Sequence, residues 1–458
     1  MKRKSFLTII TMLILVFCFF NSCSPKDASA PVEETRAQDS RVFTCDASTM
    51  TFTPLTGASV WYGVRPNGAG YRIEVPDNWN GVLVMYAHGY RGAVTELTIT
   101  DPSIRQHLID SGYAWAASTY SKNWYDVRVG IEDTNELALA FESITGKSKP
   151  VKYYIIGHSM GGHVAAAAVE AETIATARNV VHYAASLPMC GVVGDLNKYF
   201  HGFIKAAQYF GGYPAYSFPN DATAWTNAIF PGIKQSLWVD YATDKNNLTT
   251  QGTKLKGVVM NLSGGDRPAF NNGFPLYLDL LFSYGPDDGM FGGIYNKVGV
   301  DTQSIVYRWE SASGAELTTA EQYLNNAIYR IVPATDANRQ RYDGLRWVPL
   351  VWGNFNVPVL TLHNLGDLFV PFAMEQEYRQ QAVAMGKGDK LVQRAIRAYI
   401  HCNFTVDETV AAFNDLVAWE TVGTKPAGDD VLTSATLADP NYGCQFTLTK
   451  RLGVAACP

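Results

Sequence analysis

Short apolar runs recur along the chain from about Val60, and most of them lack a polar face. Tyr71–Val75, Val82–Ala87, Ala114–Ser118, Val151–Ile156 and Val180–Ala185 are rich in Val, Ile, Tyr and Ala. Strands of this kind belong in a sheet covered on both sides, which predicts a mainly parallel α/β sheet flanked by helices. Tyr71–Val75 and Val82–Ala87 flank a Pro-Asp-Asn-Trp-Asn-Gly stretch, and this predicts an opening antiparallel hairpin. Glu132–Thr145 carries acids in its first turn and sets Leu137, Phe141 and Ile144 at helical spacing, as a crossover helix would.

The rhythm stops after Val192 and returns at Val357. The intervening segment is rich in Gly, Pro, Asn and aromatic residues, with helix-like pieces at Gly202–Phe210 and Leu317–Ile331. A structureless loop of that length would be exceptional, so a large inserted cap domain is expected. The pattern resumes with strand Val357–His363, helix Phe372–Met385, strand Leu391–Tyr399 and helix Thr405–Val422, before a Gly/Asp/Pro-rich tail. The expected layout is a first core part over 41–193, a cap over 194–346, and a second core part with the tail over 347–458.

The N-terminus has a pattern of its own. Lys2, Arg3 and Lys4 precede an uncharged apolar run from Phe6 to Phe20, which fits a signal peptide over 1–22. Cys23 follows Ser22, and residues 23–40 are polar; the segment resembles the tether of a bacterial lipoprotein, with Cys23 lipidated. The expected location is the periplasm or outer membrane through a lipid anchor, or otherwise secretion. A membrane would be met only through that lipid.

Composition narrows the class. The 458 residues are 47% hydrophobic and 17% charged, which excludes collagen-like, coiled-coil and largely disordered chains. Net charge is −5 and no Lys/Arg-rich block follows the first four residues, so no nucleic-acid partner is expected. Besides Cys18 and Cys23 there are Cys45, Cys190, Cys402, Cys444 and Cys457, with no CxxC pair. A thiolate metal site is therefore not expected, whereas an exported protein could form one or two disulfides and leave one thiol free.

The stretch Tyr153-Tyr154-Ile155-Ile156-Gly157-His158-Ser159-Met160-Gly161-Gly162 runs from a buried strand through Gly-x-Ser-x-Gly into an Ala-rich helix. That context suits a strained turn that lifts a serine hydroxyl to the sheet edge, with small neighbours allowing strand and helix to approach. Ser159 is the expected nucleophile.

With Gly-His-Ser-Met-Gly-Gly in place, the chain resembles the α/β-hydrolase superfamily and, within it, serine esterases and lipases. The resemblance covers about Tyr71–Val192 and Val357–Val422, and implies the α/β-hydrolase fold and acyl transfer without cofactor. A serine needs a histidine to take its proton and a carboxylate to orient that histidine. Leu360–Asp367 with Val370-Pro371 resembles the family's acid loop, which implies Asp367. Ala398–Phe404 resembles its base loop, which implies His401. Tyr86-Ala87-His88-Gly89-Tyr90 resembles the oxyanion loop, so the Tyr90 N–H would join the Met160 N–H around the developing charge. Asp195 is a competing acid and His363 a competing base. His158 and His88 are candidate substrate contacts, and His163 is expected to pack on the helix.

Cys190 ends the strand after the elbow and Cys402 follows His401, so a bridge between them would clamp the base loop; two reduced thiols are the alternative. Tannases and feruloyl esterases join a Cys beside the nucleophile to one beside the base. Here His158 precedes Ser159, so that bridge is not carried over. Cys444 is left to pair with Cys457 or Cys45. Among the cap aromatics are Trp225, Trp238, Phe270, Phe274, Tyr277, Phe282, Tyr284, Phe291 and Tyr295, most of them expected in the cap's own core; Arg267 is expected in a structural ion pair rather than on a substrate carboxylate. No His and acid grouping has zinc-ligand spacing, so no metal is expected.

The expectation is an exported serine hydrolase cleaving a small-molecule or polymer-derived carboxylic ester through an acyl-enzyme. The alternatives are a peptidase or amidase with the same triad, or a catalytically silent, surface-tethered binding protein.

Overall fold

The computed structural model describes residues 41–213, 218–289, 298–335, 337 and 348–458. The expected signal peptide, the tether with Cys23, Phe291 and Tyr295 lie outside them.

Eight strands form one sheet: β1 (Ala58–Val64), β2 (Gly70–Pro76), β3 (Val82–Ala87), β4 (Ala114–Ser118), β5 (Lys152–His158), β6 (Ala185–Met189), β7 (Val359–Asn364) and β8 (Leu391–Ile396). Their spatial order is β1-β2-β4-β3-β5-β6-β7-β8. β2 runs antiparallel to both neighbours, and every pair from β4 to β8 is parallel. This is the α/β-hydrolase fold: two antiparallel strands at one edge, then a parallel sheet whose carboxyl ends share one rim.

Strand alternation divides the core in two. Leu83, Met85 and Ala87 of β3 face one buried cluster, while Val84 and Tyr86 face the other. The first cluster is closed by helices α2 (Val127–Thr145) and α3 (Met160–Ala168); the second by α1 (Arg105–Asp110) and α12 (Val406–Val422). Capping explains where the long helices begin and stop. Asp126 accepts from the Val129 N–H at the start of α2, and Gly146 ends it at φ 67°. Thr405 and Glu408 form a capping box on α12, which Gly423 closes at φ 80°.

Between β6 and β7 the chain carries α5 (Leu196–Phe210), α6 (Ala222–Ala224), α7 (Phe230–Leu237), α8 (Thr250–Leu262), α9 (Phe270–Ser283) and α10 (Thr319–Ala327), while α4 (Ala171–Thr176) follows α3 and α11 (Ala373–Ala384) follows β7. Phe203, Phe274, Leu278 and Phe282 of this segment are buried in the same cluster as α2 and α3.

Three expectations change. The opening hairpin does not form: β2 pairs with β1 and β4, and β4 separates it from β3. β1 carries no continuous apolar run because its residues alternate between half-buried and exposed, as an edge strand's do. The strand expected at Val180–Ala185 lies at Ala185–Met189 instead, where Pro188 occupies an inner strand and argues against one on sequence grounds. Helices α7, α8 and α9 carry Gly232, Gly252, Gly257, Gly273, Pro231 and Pro275, which hid their periodicity.

Candidate active site

β5 ends at His158, and Ser159 follows at φ 59°, ψ −123°, a backbone state that a non-glycine residue holds only under strain. Its N–H donates to Met189 O at 2.9 Å, and its carbonyl accepts from His163 N–H at 3.1 Å. Close approach dictates the glycines. A Cβ on Gly157 would lie 2.1 Å from Gly161 O, and one on Gly161 would lie 2.0 Å from Ala87 O. No side chain fits in either place, so the elbow requires both.

The acid loop leaves β7 with Asn364. Asp367 is fully buried, and its Oδ1 accepts the N–H groups of Phe369 (2.9 Å) and Val370 (3.1 Å). Those bonds turn Oδ2 toward His401, whose Nδ1 lies 2.5 Å away. His401 Nε2 is 2.8 Å from Ser159 Oγ. The three residues thus form one hydrogen-bonded chain from three strand ends.

Three ties hold the loop that carries His401. Its N–H donates to the Tyr277 hydroxyl of α9 at 2.6 Å. Cys190 and Cys402 form a disulfide with a Cα–Cα distance of 5.4 Å, linking the end of β6 to the base loop. Asn364 and Asn403 exchange two side-chain-to-backbone bonds, at 3.0 and 3.2 Å. Cys190 and Cys402 both sit at positive φ, 44° and 55°. Cys402 Sγ lies 3.3 Å from His401 Nε2. With Cys190 the three residues cluster as metal ligands could, but the sulfurs are bonded to each other and are not thiolates. Cys444 pairs with Cys457, which leaves Cys45 as the free thiol among the described residues.

A cavity of about 440 Å³ opens in front of Ser159. Its aromatic walls are Tyr90, Trp124, Tyr125, Phe200, Tyr284 and Phe369. Met160 starts α3 directly after the serine, and a Cβ on Gly89 would lie 3.8 Å from Ser159 Oγ, so the turn carrying Tyr90 runs beside the hydroxyl. Among the described residues the N–H groups of Tyr90 and Met160 have no protein acceptor.

The histidines flanking the elbow do not line this cavity. His88 is buried, stacks on Tyr120 at 4.0 Å, and sets its ring nitrogens 2.7 Å from Gly89 O and 3.0 Å from Thr119 O. Burial pushes it down to about 4. His158 Nδ1 lies 3.3 Å from the Tyr86 hydroxyl; burial, with His401 adding to it, pushes this ring to about 4 as well. Both candidate substrate contacts are therefore structural neighbours of the site. His163 is neutral for the same reason, accepting from the Tyr125 hydroxyl at 2.9 Å and donating to Pro349 O at 2.7 Å, which fixes one cavity wall.

The competing residues have other work. Asp195 caps α5 by accepting from the Lys198 N–H at 3.1 Å. His363 lies under the acid loop, with Nε2 donating to Val370 O (2.8 Å) and Nδ1 to Glu375 (3.1 Å). Burial alone would lower its pKa, but the Glu375 hydrogen bond and charge raise it overall. Among the described residues Arg267 makes no ion pair: its guanidinium donates to Leu365 O (2.6 Å), Gly265 O (2.7 Å) and Ser263 Oγ (3.1 Å), bracing the backbone before Asp367. Tyr277 was expected in the cap core, and nothing in its sequence neighbourhood signals the bond to His401. Of the other aromatics singled out, Trp225, Trp238, Phe270, Phe274 and Phe282 are buried, and Tyr284 faces the cavity.

No family model matches the chain. An o-phthalyl amidase of Xanthobacter agilis is 23% identical over 448 residues, covering 84% of this chain and 92% of the amidase. Among solved structures, feruloyl esterase B from Aspergillus oryzae superposes with a TM-score of 0.44 at 13% identity over 82% of each chain. A Pyrococcus horikoshii acylaminoacyl peptidase gives a TM-score of 0.38 at 9% identity; the match covers 82% of this chain and 44% of the peptidase.

Proposed function

We propose that the chain is a serine hydrolase that cleaves carboxylic esters through an acyl-enzyme. The observation that carries this is the unbroken run of hydrogen bonds from Asp367 Oδ2 through His401 to Ser159 Oγ, opening onto a cavity. Ser159 Oγ attacks the acyl carbon as its proton passes to His401 Nε2. The imidazolium that forms is held by Asp367, and the negative charge on the former carbonyl oxygen meets the Tyr90 and Met160 N–H groups. His401 then gives its proton to the leaving alcohol. Water, deprotonated by the same nitrogen, attacks the acyl-enzyme, releases the acid and restores Ser159. The segment 194–346 is a cap that supplies part of the cavity wall.

Amide cleavage is the second reading, favoured by the similarity to an o-phthalyl amidase along most of both chains. The chemistry of the triad does not distinguish the leaving groups. Fluorophosphonate labelling of the purified protein, mapped by mass spectrometry to the Ser159 peptide, tests the nucleophile. Rates on an ester and an amide with the same acyl group then separate the two readings. Absent labelling in folded protein would favour a silent binding protein.

The protein is exported and lipid-anchored at Cys23 in this proposal. Two disulfides among the described residues support an oxidising compartment. Incorporation of labelled palmitate that Cys23→Ser abolishes would support the anchor; unchanged incorporation would refute it.

A further inference from the structure

The Tyr90 N–H can stabilise an oxyanion only if its peptide plane aims it at the acyl oxygen. That N–H shares one peptide group with the Gly89 carbonyl, and in a trans peptide the two point in opposite directions. Whatever holds Gly89 O therefore aims the Tyr90 N–H. His88 Nδ1 lies 2.7 Å from that oxygen.

The ring is itself well held. It is buried, it stacks on Tyr120 at 4.0 Å with 23° between the planes, and the Tyr120 hydroxyl donates to the His88 carbonyl at 3.1 Å. Its other nitrogen, Nε2, lies 3.0 Å from Thr119 O. Both neighbours are acceptors, and a neutral ring has one proton to offer. Burial, with the charge of Arg91 adding to it, favours the neutral ring, and the hydrogen bonds to Gly89 and Thr119 oppose this less strongly. The shorter contact assigns the proton to Nδ1.

Gly89 is the reason the peptide needs a hold. A Cβ there would lie 3.2 Å from Ser159 Cβ and 3.3 Å from His158 O, so the strand exit passes tightly beside the nucleophile. Glycine also leaves the following peptide freer to rotate than any other residue would. Turned over, that peptide would present its carbonyl oxygen to the developing negative charge instead of its N–H.

We propose that His88 is a positioning residue of the oxyanion hole: its Nδ1–H donates to Gly89 O and so keeps the Tyr90 N–H facing the acyl oxygen. The proposal rests on Ser159 acting as the nucleophile and the Tyr90 N–H as an oxyanion donor. His88 does not line the cavity and acts through the Gly89–Tyr90 peptide. The bond also polarises that peptide, which strengthens its N–H as a donor.

The test compares His88→Leu, which removes the donor, with His88→Asn, whose amide nitrogen takes the place of Nδ1. Both lose the contact with Thr119 O, so their difference isolates the bond to Gly89. Each is assayed on para-nitrophenyl acetate and on its thionoester, whose sulfur accepts hydrogen bonds weakly and draws little from an oxyanion hole. In His88→Leu, kcat on the ester should fall at least about tenfold with KM within about threefold, and the ester-to-thionoester ratio of kcat/KM should fall at least about fivefold. In His88→Asn that ratio should stay within about twofold of the natural protein's. A kcat in His88→Leu within twofold of the natural value, a lower kcat with an unmoved ratio, or an Asn variant no better than the Leu variant would overturn the proposal.

If His88→Leu does not fold, nitrogen-15 NMR of the natural protein with ring-labelled histidine decides, His88 being identified by its contact with the Tyr120 ring. A proton on Nδ1 supports the proposal, and a proton on Nε2 alone refutes it. Should a fluorophosphonate label Ser159 while neither ester is turned over, the labelling rate replaces kcat, because the phosphonyl oxygen occupies the same hole. His88→Leu should then slow labelling at least about tenfold, and an unchanged rate refutes. Absence of both labelling and turnover in the natural protein would remove the serine itself, and the role of His88 with it.

Discussion

Tyr277→Phe removes one oxygen from a side chain that otherwise keeps its place. The ring is buried on α9, and its hydroxyl accepts the His401 N–H at 2.6 Å without lining the cavity. An amide stripped of its acceptor costs about 1–3 kcal/mol. The base loop can recover part of that by shifting toward water, and such a shift moves Nε2 away from its 2.8 Å contact with Ser159 Oγ. The loss should therefore appear in the chemical step: kcat lower by roughly 5- to 30-fold, matching about 1–2 kcal/mol. KM should stay within about twofold, because the cavity is untouched. Initial rates on a para-nitrophenyl ester across a concentration series give both constants, and a thermal melt confirms the fold. A kcat within twofold of the natural protein would refute the positioning role, as would a raised KM with unchanged kcat. Either result would leave Tyr277 as a packing residue.

Ser159→Ala should remove nearly all turnover while the melt stays in place; turnover within tenfold of the natural protein would refute the nucleophile. Asp367→Asn should lower kcat by roughly 10⁴-fold, as expected when the orienting carboxylate is lost, and Asp195→Asn should leave it within a few-fold, since Asp195 caps α5. The reverse pattern would exchange the two acids. Replacing Cys190 and Cys402 together by Ala should lower kcat more than KM and increase proteolysis near residue 402, because the bridge closes a loop between residues 212 apart; unchanged kinetics would limit the bridge to stability. Lys205 is buried on α5, and burial pushes it from 10.5 down to about 7. Between those values the unfolded chain holds the proton that the folded chain has lost, so stability should rise with pH from about 7 to 10. Lys205→Met should flatten that rise in urea midpoints, and an unflattened slope would assign it to other groups.

Where local sequence sets local geometry, the site could be read directly. Gly157, Ser159 and Gly161 are needed by contacts within the elbow and with the neighbouring strand exit, and that need is written into adjacent residues. The acid loop is similar, since Asp367 is oriented by N–H groups two and three residues ahead. The parallel sheet was legible because apolar strands without a polar face fit little else. Pairing was not: β2 lies between β1 and β4 through tertiary contacts that no turn between β2 and β3 announces. The fate of His88 and His158 also depended on distance in space. Each flanks a catalytic segment, yet each turns inward to a hydroxyl or carbonyl and faces away from the cavity.

The three members of the proposed triad are fixed by different means, and this governs how they should respond to change. Ser159 is set by backbone strain that two glycines, Gly157 and Gly161, permit, and Asp367 by two amides of its own turn. His401 depends on side chains from elsewhere: Tyr277 from α9, Cys190 from the end of β6, and Asn364 from the end of β7. Any one tie leaves two in place, so single cuts should produce graded losses in kcat. Cutting two should cost more than the sum of the separate effects, because the loop then has room to move. A double-mutant cycle joining Tyr277→Phe with Asn364→Ala measures that coupling. Additive effects would mean that each tie acts on His401 alone, while excess loss would identify the base loop as one mechanical unit. In that case α9, inserted between β6 and β7, holds the base within reach of the serine without lining the cavity.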